Sequence, residues 1–250
     1  MVKRILIVDD NAINRKYANT VLKSAAIEIH EAEDGESALQ LVSSNRYDLI
    51  LMDIQMPRMD GFECLHQIRT NFPDHQCPIL AVTAFSGKEE ADSFQKAGFS
   101  ALITKPIKPQ ELKKAVADWL GGSNPELEKS NNKKSSKQDI IIDLSVYQGL
   151  QKYASKEDIM DIYMEFEKET SGFIEQLKFL VPAKNYPEIL SILHTIKGNA
   201  GSLGIATLAD KTRQVEANLR DSEYRHLERD FDHMQALFND FVENYRILLT

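Results

Sequence analysis

The sequence predicts two domains of different fold class: a doubly wound, five-stranded parallel α/β sheet, followed by an all-α antiparallel four-helix bundle. Over the first 120 residues, short apolar runs alternate with helical segments, as in a parallel sheet with helices on both faces. Residues 121–142 lose all periodicity, and apolar residues then recur every three or four positions, as on amphipathic helices. We therefore predict an α/β domain over 1–120, a flexible linker over 121–142 and a helical domain over 143–250.

Five strands and five helices alternate in the first predicted domain. The predicted strands are Arg4–Val8, Ile27–Glu31, Asp48–Met52, Ile79–Val82 and Ala101–Ile103. The predicted helices are Ala12–Ser24, Gly35–Ser44, Phe62–Thr70, Lys88–Ala97 and Pro109–Leu120. Open sheets of this kind bind ligands at the carboxyl ends of their strands, where the strand order reverses.

Four amphipathic stretches, joined by short connections, make up the second predicted domain. Their apolar stripes run through Ile159–Leu180, Ile189–Leu203, Leu208–Leu219 and Leu227–Leu248, after a shorter helix near Leu144–Tyr153. Ser155 and Ser222 are predicted N-caps, and Pro187 suits the first turn of a helix. Short connections between helices predict an antiparallel bundle.

The composition is that of a soluble globular protein, with 42% apolar and 27% charged residues among 250. A net charge of −8 argues against nucleic-acid binding, which needs a basic face. No apolar run approaches the ~20 residues of a membrane span, and the apolar stretch near the start is too short for a signal peptide. Cys64 and Cys77 lack a metal-binding spacing and are interpreted as reduced thiols. We therefore predict a cytoplasmic protein that does not insert into membranes.

Chemically useful side chains fall at the ends of four predicted strands. Asp9 and Asp10 follow the first strand, Asp53 the third, Thr83 the fourth and Lys105 the fifth. In a parallel sheet these ends share one edge. Carboxylates gathered there repel one another, and oxygen ligands of this type suit Mg²⁺.

Asp53 is the predicted nucleophile of this group because it lies on the central strand. Asp9 and Asp10 are predicted metal ligands together with Asp53, and Gln55 is a further candidate. The ion would neutralise charge during phosphoryl transfer. Lys105 offers a cation to a phosphoryl oxygen, and the Thr83 hydroxyl can donate a hydrogen bond to the modified aspartate.

Three alternatives concern the same strand ends. In the first, the carboxylates only cap neighbouring helices, with Asp10 as the cap of the helix after it, but the complete ordered set disfavours this interpretation. A flavodoxin-like sheet that binds FMN would need a loop rich in Gly, Ser or Thr, whereas Asp9 and Asp10 would repel its phosphate. An aspartate-nucleophile phosphatase usually has a second acid two residues later, where this chain has Gln55.

Residues 1–120 resemble the receiver domain of two-component response regulators. The matching segments are Val8–Asn11, Leu51–Gly61, Val82–Ala84 and Thr104–Ile107. The resemblance implies a flavodoxin-like fold and self-catalysed, Mg²⁺-dependent transfer of phosphate from a phosphohistidine to Asp53, followed by hydrolysis. Leu102 departs from the family pattern, which usually has an aromatic switch residue there. A conformational output would then be muted or rebuilt around Phe85 or Phe99. Phe85 could also slow phosphate loss by obstructing water.

His194 lies on a predicted helix, about 100° around from its apolar stripe, and is expected to face outward. Lys197 follows one turn later, where its charge can attract phosphate. Gly198 and Gly201 fall on the same exposed face, although each costs about 1 kcal/mol relative to Ala in a helix. A bare patch beside His194 would let another protein approach the imidazole. Gly204 is expected to end the helix.

The segment His194–Gly204, with Leu208 and Glu216 downstream, resembles a histidine phosphotransfer (HPt) domain over about residues 143–250. The resemblance implies that His194 is reversibly phosphorylated, with the chemistry supplied by a partner receiver. The sequence has no glycine-rich ATP-binding segment, so it is not expected to act as a kinase by itself.

Together these features predict a phosphorelay protein that uses Mg²⁺. A sensor histidine kinase, of the hybrid type or not, would load Asp53, or another receiver would load His194. Other receiver or HPt proteins are further expected partners. Two alternatives stay open: a non-catalytic protein-binding adaptor, and a phosphate sink that drains a sensor kinase. Ile13, Tyr17 and Ile107 are candidates for a docking face near Asp53, although core packing explains them equally well.

Overall fold

The computed structural model describes residues 2–83, 88–121 and 142–249, with the backbone alone at 88–92. The chain forms two compact units, Met1–Lys133 and Lys134–Thr250. Most of the predicted linker, residues 122–141, falls outside the described residues. Within the described part of the chain, no helix is long and apolar enough to cross a membrane.

The first unit is a parallel five-stranded sheet in the order β2-β1-β3-β4-β5. Its strands are β1 (Lys3–Val8), β2 (Ile27–Ala32), β3 (Leu49–Asp53), β4 (Ile79–Thr83) and β5 (Ala101–Thr104). Every residue of β3 and β4 is buried, as expected of central strands with both faces covered. The strand order reverses between β1 and β3. The predicted doubly wound fold is therefore confirmed, and each strand lies within one residue of its predicted bounds.

Helices follow each strand of this unit. They are α1 (Ala12–Leu22), α2 (Gly35–Ser44), α3 (Gly61–Asn71), α4 (Lys88–Ala97) and α5 (Pro109–Leu120). Asn11, rather than Asp10, caps α1, because its side chain accepts hydrogen bonds from the backbone N–H groups of Ile13 and Asn14. The alternative role of Asp10 as a helix cap is therefore wrong. The predicted first helix runs two residues too far, since the chain turns at Lys23.

The second unit is helical throughout its described residues. It contains α6 (Leu144–Gln151), α7 (Lys156–Ala183), α8 (Tyr186–Ser202), α9 (Ala206–Arg220) and α10 (Leu227–Leu248). Helices α7 to α10 each contact the next, and α10 also contacts α7, so these four helices enclose one core. Ser155 caps α7 through the Asp158 N–H, and Pro187 lies in the first turn of α8, as predicted.

Turns set the ends of α8 and α9. Gly204 follows α8 with a φ of +74°, and a Cβ atom there would lie 2.9 Å from the Val146 Cβ, so glycine ends this helix as expected. The prediction that Ser222 caps the last helix is wrong. Ser222 has a φ of 61°, whereas an N-cap residue needs extended backbone, and α10 begins only at Leu227.

Candidate functional sites

The carboxyl edge of the sheet brings three aspartates together. Asp9 follows β1, Asp53 ends β3, and one carboxylate oxygen from each of Asp9, Asp10 and Asp53 lies within 4.8 Å of the other two. Asp9 and Asp53 are buried, whereas Asp10 is exposed. The group sits beside the point where the strand order reverses, so its position is that of a ligand site in an open parallel sheet.

Lys105 places its ammonium group between two of these carboxylates. Its Nζ donates to Asp53 Oδ2 at 2.6 Å and to Asp9 Oδ2 at 3.1 Å. Burial would lower the pKa of Lys105, but the charges of Asp9 and Asp53 outweigh it and raise that pKa. The Lys105 N–H donates to the Thr83 carbonyl at 2.7 Å, which fixes the end of β5 beside the end of β4. Lys105 is thus held as a cation.

Asp53 is electrostatically strained in this setting. Burial, reinforced by the negative charge of Asp9, raises the pKa of Asp53 from 3.8 to about 6, although Lys105 pulls it the other way. A carboxylate that is poorly solvated and repelled by its neighbour gains from a further cation. The donor set of three carboxylates fits a hard divalent ion.

The remaining predicted residues of this site have different surroundings. Thr83 is fully buried at the end of β4. Gln55 is exposed, and its backbone N–H donates to Asp53 Oδ1 at 3.2 Å. Asn14 was missed by the sequence reasoning: its side-chain amide donates to both Asp9 oxygens at 3.1 Å. A buried polar residue on the inner face of α1 was the signal that could have identified it.

Apolar residues near the edge settle one open alternative. Ile13, Tyr17 and Ile107 are at most 6% exposed, and the Tyr17 hydroxyl donates to the Ile107 carbonyl at 2.6 Å. They are core residues, so core packing and not a docking face explains them. Phe85 lies outside the described residues. Leu102 is half-buried against a core cluster that includes Phe99.

In the second unit, His194 lies on α8 with 31% of its side chain exposed. Its Nδ1 faces Glu216 Oε1 on α9 at 3.2 Å. The other Glu216 oxygen accepts from Lys197 Nζ at 2.6 Å, and Lys197 Nζ lies 3.4 Å from His194 Nδ1. The structure therefore brings together the predicted pair and adds a carboxylate that connects them.

Glu216 is a buried anion surrounded by donors. Burial would raise the pKa of Glu216, but hydrogen bonds from His194, Lys197 and Arg220 outweigh it and hold that pKa well below its ordinary value. Arg220 donates to Oε1 at 2.8 Å. The sequence reasoning noted Glu216 only as part of a resemblance and missed Arg220. An acid beside the apolar stripe of α9 was the available signal, because buried acids are nearly always paired.

The space beside His194 agrees with the predicted patch without side chains at Gly198 and Gly201. A Cβ atom added at Gly198 would meet no atom within 4 Å. Gly201 is also partly exposed on α8. Neither a tight turn nor a close contact requires glycine at position 198. The loss of helix stability relative to alanine at this position therefore has another reason.

Two family models match the chain: the response regulator receiver domain over residues 5–117, and the Hpt domain over residues 161–244. The chain is 24% identical over 213 residues to the aerobic respiration control sensor protein ArcB of Escherichia coli K12, a match that covers 85% of this chain and 27% of ArcB. The chain thus spans about a quarter of the length of that sensor protein.

Shorter relatives match the first unit. The polar-differentiation response regulator DivK of Brucella anthropi is 33% identical over 121 residues, which cover 48% of this chain and 98% of DivK. The solved structure of the chemotaxis response regulator CheY4 of Vibrio cholerae is 29% identical, with a TM-score of 0.45, and the match covers 48% of this chain and 99% of CheY4. From the two family models and the match to DivK, the chain belongs to the response regulator receiver family and combines a receiver domain with an Hpt domain, two modules of phosphorelay signalling.

Proposed function

We propose that Asp53 accepts a phosphoryl group from a phosphohistidine, and that His194 carries one by exchange with a receiver. The observation that carries this proposal is the convergence of Asp9, Asp10 and Asp53 on one sheet edge, with Lys105 2.6 Å from the Asp53 carboxylate. Both matched segments are phosphotransfer modules rather than kinase domains.

In the receiver, an Asp53 carboxylate oxygen attacks phosphorus. A P–O bond forms, the P–N bond of the phosphohistidine breaks, and the donor imidazole nitrogen keeps the electron pair. Asp9, Asp10 and Asp53 would hold Mg²⁺, with Gln55 as a further oxygen ligand. When bound, the ion offsets the charge that develops on the transferring group. Lys105 stabilises a phosphoryl oxygen, and the Thr83 hydroxyl donates to the acyl phosphate.

In the Hpt domain, the contact with Glu216 selects the nucleophile. Nδ1 of His194 is closer to this carboxylate, at 3.2 Å, than to Lys197 Nζ, at 3.4 Å, and Lys197 Nζ is itself bound to Glu216 at 2.6 Å. A proton on Nδ1 is therefore stabilised, and Nε2 keeps the lone pair that attacks a phosphoryl group. Lys197 and Arg220 offset the charge of Glu216 and of an incoming phosphate. Gly198 leaves space for the partner's loops.

Partners follow from the two sites. A sensor histidine kinase would load Asp53, and receiver or Hpt proteins would exchange phosphate with His194; the sensor protein ArcB matches most of this chain.

One observation favours a protein-binding adaptor instead: half-buried Leu102 stands where the family's usual switch aromatic would be. A phosphate sink would load Asp53 but pass nothing on. The cytoplasmic location stays a prediction.

Labelling with acetyl phosphate tests the receiver half. We expect Mg²⁺-dependent, hydroxylamine-sensitive labelling of the intact chain that disappears in Asp53→Asn. Asp48→Asn is the matched control, because Asp48 precedes the same strand at its opposite end and pairs with Lys3. Labelling that persists in Asp53→Asn would contradict the proposed acceptor. An adaptor would not be labelled at all.

Transfer from phosphorylated receivers tests the Hpt half. We expect acid-labile label on the chain after incubation with receiver domains of sensor kinases from the same cell. The label should be lost in His194→Gln and kept in His233→Gln, which removes an exposed histidine from α10. Equal labelling of the two variants would rule out His194 as the carrier. Rapid loss of phosphate from Asp53 without onward transfer would favour the phosphate sink.

A further inference from the structure

Two loops supply the candidate ligands, and an arginine connects each of them to an acid near the end of β2. We infer that the segment Glu31–Asp34, which contributes no carboxylate to the aspartate cluster, is a positioning element that holds both ligand loops in place. The inference rests on the proposed Mg²⁺ site. It concerns how tightly that site binds the ion, rather than which residues react.

Arg58 forms the first connection. It lies in the loop between β3 and α3, which begins directly after Asp53, and its NH2 group donates to Asp34 Oδ2. The Asp34 side chain is only 11% exposed, and its other oxygen accepts from the Ser37 N–H at 2.8 Å as the cap of α2. Arg58 has a φ of 68°, a left-handed conformation that persists only where surrounding contacts fix it. The ion pair with Asp34 is such a contact.

The next residue strengthens the same connection by packing. Met59 covers Gly35, the first residue of α2, so closely that a Cβ atom on Gly35 would lie 2.5 Å from the Met59 sulfur. The other end of the loop is closed by a hydrogen bond from the Gly61 N–H to the Ile54 carbonyl at 3.0 Å. Gln55 lies between these fixed points. The hydrogen bond from its N–H to Asp53 Oδ1 is therefore held in place.

Arg15 forms the second connection. Its NH1 group donates to the backbone carbonyls of Asp9 and Asp10, at 2.8 and 3.2 Å. Its Nε lies 3.5 Å from Glu31 Oε2, near the end of β2. Arg15 thus ties the acidic loop after β1 to the neighbouring strand. The two connections converge from different elements on one short segment.

Such restraints matter because the ligands repel one another. Without the metal ion, Lys105 offsets only part of the repulsion among Asp9, Asp10 and Asp53. The remaining repulsion favours separation of the two loops, and bringing them back together would weaken ion binding. Loops that are already held in place lose less conformational freedom on binding. Breaking either connection should therefore weaken ion binding even though no ligand is changed.

The test is a titration of the intact chain with Mg²⁺, followed by amide NMR shifts at the sheet edge. We expect Asp34→Asn and Arg58→Gln each to raise the dissociation constant about fivefold, which is about 1 kcal/mol. Asn keeps the capping oxygen of α2, so the helix start is preserved. The double variant should bind no more weakly than either single variant, because one shared contact is lost. Arg15→Gln should weaken binding similarly.

Charge alone makes a different prediction, which separates the two explanations. Removing an arginine near an acidic site should tighten Mg²⁺ binding if only net charge matters. The control is Arg46→Gln, an exposed arginine before β3 at the far end of the sheet, which should leave the constant unchanged. Binding in Arg58→Gln that is equal to wild type or tighter would overturn the inference. A general loss of stability without a change in the constant would also overturn it.

The same experiment distinguishes this inference from the proposed function. If the wild-type chain shows no Mg²⁺-dependent shift, the proposed metal-assisted function fails together with the inference. If the wild type binds Mg²⁺ and is labelled on Asp53, while Asp34→Asn and Arg58→Gln bind it equally well, the positioning role alone is refuted.

Discussion

Replacing Asp53 by Asn is expected to stabilise the receiver unit at neutral pH. The carboxylate is 4% exposed and lies beside the negative charge of Asp9. Asn has nearly the same shape as the protonated acid and carries no charge to desolvate. Functional sites commonly hold groups in environments that cost stability, and their replacement often makes the fold more stable.

The magnitude follows from the shifted acidity. The pKa of Asp53 lies near 6 in the folded chain, against an ordinary value of 3.8. At pH 7.5 this difference corresponds to a cost of about 3 kcal/mol, since a tenfold change in acidity is worth about 1.4 kcal/mol. We take this as the upper limit and expect the substitution to raise the free energy of unfolding by at least about 1 kcal/mol.

The sign of the pH dependence is also fixed. Because the folded pKa is raised, the cost is fully present above about pH 6 and disappears as the pH falls from there toward 4. The advantage of Asn should therefore vanish in the same window. Urea unfolding in EDTA measures it, and the chain's single tryptophan, Trp119 on α5, reports on the receiver unit alone.

The matched control is Asp48→Asn, near the other end of β3. A hydrogen bond from Lys3 lowers the pKa of Asp48, so the same chemical change should destabilise the unit at pH 7.5. Opposite signs for the two substitutions are the key result. If Asp53→Asn is destabilising at pH 7.5, or if its effect is unchanged at pH 4.5, the electrostatic description of the site is wrong.

Three further predictions concern the ion and the Hpt domain. Mg²⁺ should raise the urea midpoint of the wild-type receiver, because a ligand that binds only the folded state stabilises it. Asp10→Asn should reduce this increase, and an unchanged increase would exclude Asp10 as a ligand. Glu216→Gln should slow phosphate transfer to His194 about tenfold, since the buried carboxylate binds both Lys197 and the imidazole. The control, Glu223→Gln, changes an exposed acid and should not slow transfer. Equal transfer rates in the two variants would show that Glu216 does not orient the site. Gly198→Ala should stabilise α8 by up to about 1 kcal/mol yet slow phosphate transfer, while Gly204→Ala should destabilise the unit by about 1 kcal/mol or more because of its positive φ. Hydrogen exchange in α8 would measure the two stabilities, and transfer kinetics would measure the rates. Unimpaired transfer in Gly198→Ala would argue against a docking role for the bare patch.

Much of the fold could be predicted from local patterns. The alternation of strand-like and helical segments predicted all five strands to within one residue. The central strands β3 and β4 are continuous apolar runs because both of their faces are buried, whereas the edge strand β2 alternates apolar and polar residues. N-cap chemistry predicted Ser155 correctly but failed for Ser222. The failure has a physical cause: serine is favoured in turns as well as at helix N-caps, and only the backbone conformation distinguishes the two.

The sequence by itself determined which residues reach the carboxyl edge of the sheet, since a parallel fold directs every strand end there, and it determined that His194 and Lys197 share a helix face. Only the tertiary structure decided that Glu216, which pairs with Arg220 one turn later on α9, also lies beside His194 and Lys197 of α8. It alone decided that Arg15 and Arg58 connect the ligand loops to Glu31 and Asp34. These ion pairs depend on how neighbouring strands and helices pack, and Arg58 and Asp34 are brought together only by the packing of α3 beside α2. Periodicity describes one element at a time, whereas an electrostatic site is assembled from several.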